Sequence, residues 1–190
     1  MSSLTRLAPL PLFTAALLLS GCSDSVGPAV IGAYEISFGQ GQSGACGLGP
    51  HSGQVGSVTD TEKQSLQRDG ENLIQMSCIV TGSGSTFRVV GEIDDNEANF
   101  LAFDIPSLDT GATRDNPSLG SVQYQAAETQ GAVYSSVGDQ PCEFFLEGSE
   151  TIQPGAAWLS FRCPNVIDGS STCELGPMFP NVVIMENCDQ

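Results

Sequence analysis

The chain has 190 residues, of which six are basic and 22 acidic, giving a formal net charge of −16 with a single histidine. Such a surface repels nucleic acid and anionic lipid, and the cations are scattered singly with no basic patch to hold phosphates, so no nucleic-acid partner is expected. The length supports one domain with a real core and not two.

An apolar run over residues 7–19 follows the lone base Arg6 and carries Pro9 and Pro11. It is well short of the roughly 20 residues that span a bilayer as a helix, and it reads as the core of a secretory signal peptide. The run closes on Leu19-Ser20-Gly21-Cys22, which resembles the lipobox of bacterial lipoproteins. The resemblance implies that residues 1–21 are removed and that Cys22 carries a diacylglycerol thioether and usually an acylated amine, with palmitate-class chains. It also implies export to the bacterial cell envelope, with the membrane as partner through that lipid. Two or more acyl chains make a stable anchor where one is marginal. Ser23, in the place after the cysteine, implies outer-membrane delivery by the same resemblance, which covers residues 19–22 alone. Cleavage would leave five bases against 22 acids, a net −17. Residues 22–32 then form a lipidated N-terminus and short tether. At ~3.5 Å per residue, the stretch from Ser23 to Gly32 lifts the domain at most ~35 Å from its lipid.

Residues 33–190 read as a single β domain. Strand signals fall at 33–38 and 54–59, and residues 61–68 are the one stretch with helical character, two turns at best. In 72–81 one face reads Ile74, Met76, Cys78, Val80. After the break Gly82-Ser83-Gly84-Ser85, the alternation resumes with Phe87, Val89, Gly91 and Ile93, which predicts a hairpin. A turn at 94–98 leads to Leu101, Phe103 and Ile105 on a third antiparallel strand. Further strands are expected at 120–126, 132–137, 142–147, 156–163 and 181–187. Without crossover helices a parallel sheet is excluded, so the predicted fold is all-β, an antiparallel β-sandwich of about nine or ten strands stabilised by disulfides.

Seven cysteines occur, and setting Cys22 aside leaves an even six, the arithmetic of three disulfides in an exported chain. If 142–147 and 156–163 form a hairpin with Leu146 opposite Leu159 and Phe144 opposite Phe161, Cys142 falls opposite Cys163. Facing Cα atoms at a non-hydrogen-bonded site lie ~4.5 Å apart, close enough for a bridge. Cys46–Cys78 and Cys173–Cys188 complete one set among the fifteen that six cysteines permit. With no Cys-x-x-Cys and one histidine, no structural metal is expected.

Each chemical motif has a plain structural alternative. His51 sits in a Gly-rich loop with no nucleophile elbow beside it, so no catalytic residue is assigned. Glu143 and Glu147 share one face of a predicted strand, with Glu35 and Glu92 on others. Such a pair can hydrolyse glycosides if one carboxyl is buried, although 22 acids make pairs unavoidable. Asp94, Asp95, Asn96 and Glu97 concentrate oxygen ligands that suit calcium, but they lack the spacing of an EF-hand and are also ordinary turn residues. Phe145 and Trp158 lie diagonally on one hairpin face, able to stack on a sugar or anchor a protein if exposed and simply core if covered. The Gly39–Gly44 stretch precedes no helix and is no phosphate loop. No cofactor is expected. The reading that follows is a lipid-anchored, non-enzymatic binding or structural module with a protein or glycan ligand. The alternatives are a carbohydrate-active hydrolase using a carboxylate pair and a calcium-dependent adhesion module. A deep cleft holding two carboxyls ~5–9 Å apart would mark the enzyme, and a flat aromatic patch would mark a binding surface.

Overall fold

Strict in-and-out alternation gives the chain its strands, and a computed structural model describes residues 27–40, 46–58, 65–169, 171–176 and 181–190. The lipobox lies outside the described residues. Thirteen strands follow in order: β1 (Ile31–Gly39), β2 (His51–Val55), β3 (Gln67–Arg68), β4 (Gln75–Ser83), β5 (Thr86–Asp94), β6 (Phe100–Asp109), β7 (Ser118–Gln125), β8 (Tyr134–Ser136), β9 (Cys142–Phe145), β10 (Thr151–Gln153), β11 (Ala156–Ile167), β12 (Thr172–Leu175) and β13 (Asn181–Glu186). A 3-10 turn at Ala127–Thr129 lies between β7 and β8.

All strand pairings are antiparallel, along the path β12-β1-β13-β11-β8-β7-β6-β5-β4, with β2 and β3 on β1, β10 on β11, and β9 between β11 and β7. The sheet folds over so that its two halves face each other. A Cβ on Gly32 of β1 would meet Ile93 of β5 and Met76 of β4, and one on Gly91 of β5 would meet Met185 of β13. Between the halves lie Tyr34, Ile36, Phe38, Ile93, Leu101, Ile105, Tyr124, Phe144 and Phe161, all essentially solvent-free. The expected sandwich is therefore present, with more strands than the nine or ten anticipated.

The β4–β5–β6 meander matches the alternation. Met76, Cys78 and Val80 point inward with Phe87, Val89 and Ile93 beside them, and Gly84 (φ 68°) supplies the left-handed residue of the two-residue turn. Phe144 pairs with Phe161 in the expected register, but the hairpin is split. After β9 the chain leaves the sheet at residues 146–150 and returns as β10, with Thr151 opposite Trp158.

Two segments differ from expectation. Strand β2 covers His51–Val55 instead of 54–59, because Gly56 (φ 70°) turns the chain, and residue 59 lies outside the described residues. Residues 61–64 of the anticipated helix are also outside, while Gln67–Arg68 is the strand β3, bonded to Ile31 and Gly32. The β1 edge offers these residues backbone partners that a two-turn helix would forgo.

Strand β4 ends the path, and its outer edge is closed by the chain's own backbone. Val80 N donates to Asp189 O (2.9 Å), Asp189 N to Cys78 O (3.0 Å) and Gly155 N to Val80 O (3.1 Å). These bonds occupy an edge that would otherwise be open to pairing with another chain.

Of the expected disulfides, Cys142–Cys163 is present with Cα atoms 4.2 Å apart. The other two are corrected: the pairs are Cys46–Cys173 and Cys78–Cys188, not Cys46–Cys78 and Cys173–Cys188. Pairing β12 on the end of β1 brings Cys173 to the loop after β1, and the closed β4 edge sets Cys188 beside Cys78. Both juxtapositions depend on strands far apart in the chain, with sequence separations of 127 and 110, against 21 for Cys142–Cys163. In the chain-entropy account the two long closures are worth about 5 kcal/mol each and the short one about 3. Denaturant unfolding of the paired alanine variants should thus rank the loss for Cys78→Ala/Cys188→Ala above that for Cys142→Ala/Cys163→Ala; the reverse order would contradict it.

Candidate functional site

The outer face of β9, β10 and β11 and the loop after β9 bring together Glu143, Phe145, Glu147 and Trp158. Phe145, opposite Ser160, is fully buried. The loop after β6 closes over it: Arg114 lies 5.5 Å above its ring and Leu146 N donates to Ala112 O (3.1 Å). Phe145 is therefore core under a loop and not part of an exposed aromatic patch. Trp158 shares this face and stays partly exposed, but its indole Nε1 is buried with no hydrogen-bond partner.

The two glutamates of β9 and its following loop do not form a catalytic pair. Arg162 Nε donates to Glu143 Oε2, and Arg114 Nε to Glu147 Oε1 (3.1 Å), so each carboxylate is neutralised by a different arginine. Glu35 and Glu92 sit exposed on β1 and β5. All four arginines among the described residues are ion-paired, with Arg88 on Asp104 (2.9 Å) and Arg68 on Glu71 (3.6 Å). These are surface pairs, worth at most about 1 kcal/mol apiece.

A third carboxyl, unnoticed in the sequence, is the most enclosed of the group. Glu150 accepts from Ser160 Oγ (2.6 Å) through one oxygen and from Glu147 N (2.7 Å) through the other. Burial raises its pKa above the usual 4.5 and outweighs these two bonds, which act in the opposite direction. Ser160 itself is 1% exposed. Strand alternation alone would turn Ser160 to solvent, and only the excursion at 146–150 brings Glu150 over it. The outcome is a satisfied polar contact beneath a loop. Serine here faces a carboxylate with no imidazole between them, which is not a nucleophile–base arrangement.

The Asp94–Asn99 turn uses its oxygens on itself. Asp95 Oδ1 accepts from the backbone N–H of Glu97 (3.0 Å), Ala98 (2.9 Å) and Asn99 (2.8 Å), and Oδ2 from Asn99 Nδ2 (2.5 Å). Asp94 Oδ1 accepts from Asn96 N (2.7 Å), and Asn96 Nδ2 donates to Leu73 O (2.5 Å). Calcium would have to compete for lone pairs already directed at N–H groups, and among the described residues no cluster of three or more His, Cys, Asp or Glu has metal-binding geometry. The arrangement is a turn-stabilising carboxylate. Partial burial acts to raise the Asp95 pKa, but the four bonds prevail and hold it below 3.8.

His51 opens β2 and is not a free loop residue. Its ring stacks on Phe38 at 4.5 Å and lies 6.2 Å from Tyr124, while Nδ1 is 3.1 Å from Gly49 O. The stack continues inward to Tyr134, edge-on to Phe38 at 5.0 Å. His51 thus caps the aromatic core with no nucleophile or carboxylate hydrogen-bonded to it. Tyr34 and Tyr124 have buried hydroxyls without partners, and burial pushes both phenols far above their normal range, keeping them neutral.

Compared with known proteins, the chain matches no family model, no curated protein and no solved structure. The site's chemistry therefore rests on its geometry alone.

Asp95→Ala should lower the unfolding free energy by about 1–2 kcal/mol at neutral pH through the donors it leaves unpaired. Because the folded-state pKa is depressed, this contribution is present above the unfolded value and fades as pH falls through the folded one. The gap between parent and variant melting temperatures should accordingly narrow below pH 3.8 and leave no dependence on added calcium. A calcium-dependent melting temperature in the parent that Asp95→Ala abolishes would restore the metal reading.

Proposed function

We propose that this chain is an exported β-sandwich module held to the bacterial cell envelope by lipid on Cys22, acting there through binding or as a structural element and not as an enzyme. The observation that carries it is cysteine accounting. Cys46, Cys78, Cys142, Cys163, Cys173 and Cys188 are consumed in three disulfides, and the seventh is the one inside the lipobox-like Leu19-Ser20-Gly21-Cys22. Disulfides at this density suit an oxidising compartment. Outer-membrane placement is the finer part of the reading and rests on Ser23.

The non-enzymatic half is supported by how the polar groups are used. Glu143 and Glu147 are tied to arginines, Glu150 to Ser160 and a backbone N–H, and Asp95 to its own turn. A hydrolase working through a carboxylate pair would need one carboxyl free to donate and another facing it across a cleft.

Detergent phase partition of the full chain expressed in a bacterium, compared with Cys22→Ser, tests the anchor. The parent should enter the detergent phase and incorporate labelled palmitate, and Cys22→Ser should do neither. Equal partition of the two would refute lipid attachment at Cys22.

A further inference from the structure

The end of the sandwich where the chain enters sets exposed apolar side chains among polar ones, with Gly27 and Pro28 lying beside Gln153, Glu186, Asn187, Asp189 and Gln190. Entry is fixed by two backbone carbonyls: Val30 O accepts from Asp69 N (2.9 Å) and Ala29 O from Asn187 Nδ2 (3.0 Å). Asp69 also accepts from Met76 N (2.8 Å), so the turn between β3 and β4 is bound to the entry point. That turn holds Asn72 (φ 52°) and Leu73 (φ 66°) in left-handed backbone. Asparagine tolerates this conformation, whereas leucine is strained in it. Leu73 is nevertheless 70% exposed, so burial within the domain gives nothing back for the strain. Strained backbone that presents a side chain to the outside is a pointer to function.

Ile79, on the outer face of β4, is 43% exposed. With Val30, Met76 and Val90 it lines a shallow depression of about 280 Å³ that also includes Asp189. The floor is firm, since Cys78–Cys188 and the Asp189 backbone bonds pin β4 beneath it. Two of the four exposed large hydrophobics of the described chain thus stand beside the entry point.

We propose that this end, with Leu73, Ile79 and the Val30 depression, is a membrane-contact surface that seats on the bilayer interface. The proposal rests on the lipid anchor at Cys22. From Cys22 to Gly27, the first described residue, the chain reaches at most about 18 Å, so a lipidated protein keeps its entry point within about that distance of the headgroups. The neighbouring charges set the lipid class. Asp69, Glu71 and Asp189 are acidic, and Arg68 is occupied by Glu71, so the surface suits zwitterionic headgroups and is repelled by anionic ones. Apolar side chains that sit in an interface reach the upper acyl region, where they meet labels carried on the chains.

The test uses the full lipidated chain in phosphatidylcholine vesicles with plain or brominated acyl chains, reading tryptophan fluorescence of Leu73→Trp, Ile79→Trp and Leu119→Trp. Leu119, 53% exposed near the start of β7 and opposite Glu143, stands three strands from β4 along the sheet and serves as the control. Bromine should quench the added signal at positions 73 and 79 by about half or more, as expected for interfacial residues, and leave the Leu119→Trp variant and the parent, with its single Trp158, unchanged. Vesicle flotation separates the two possible failures. Protein that floats, yet shows no more quenching at 73 and 79 than at 119, keeps its anchor and overturns the contact surface. Protein that does not float overturns the anchor and the surface together.

Discussion

Closure of the β4 edge is the constraint on which the rest of the structure depends. A folded-over sheet has two ends, and this one is sealed where β4 takes backbone bonds from Asp189 and Gly155 and the Cys78–Cys188 bridge fixes the tail beneath it. The closure places the last residues of the chain against the fourth strand, sets the two halves face to face, and positions the chain's entry beside Val30. It also hides an edge that could otherwise recruit a second sheet. In an acidic domain built almost wholly of strands, long-range links of this kind replace the local order that helices supply elsewhere.

The polar chemistry of the molecule is inwardly committed. Arginines on the outer face sit on glutamates, the Asp94–Asn99 turn is held by its own carboxylates, and Glu150 is matched to Ser160. A carboxylate with all its lone pairs engaged stabilises a turn but has little left for a substrate or an ion. Leu73, Ile79, Leu119 and Val133 are the large apolar side chains exposed among the described residues, and Trp158 is half-buried.

Much of the fold was legible because its information is local. The faces of β4, β5 and β6 follow from period-two alternation, and the Cys142–Cys163 bridge follows from matching Phe144 with Phe161 across a near hairpin. The other two disulfides were not legible, since Cys46 meets Cys173 only after β12 pairs with the end of β1, and no local pattern encodes that partnership. The short strands β10 and β12 were missed for a related reason: three or four residues carry too little alternation to stand out. At the candidate site, the calcium-like turn was visible as composition, and the sequence left its two readings open. Phe145 could be placed on the outer face, but the loop that buries it, with Arg114 over the ring, comes from elsewhere in the chain. Leu73 gave no signal at all, because its left-handed backbone belongs to a turn tied to Val30 through Asp69 N and to Asn96 through the Leu73 carbonyl.

Three specific disulfides, two of them long-range, hold the sandwich closed. Mapping the bridges by mass spectrometry tests this most directly. Cleavage of the unreduced protein before aspartate and after glutamate separates Cys163, Cys173 and Cys188, since Asp168, Glu174 and Glu186 lie among them. The account predicts linked peptides containing Cys46 with Cys173, Cys78 with Cys188, and Cys142 with Cys163, and no free thiol among the six. Linkage of Cys46 to Cys78, or free thiols at Cys78 and Cys188, would mean that the β4 edge is not sealed by the tail, and the architecture argued from it would fall.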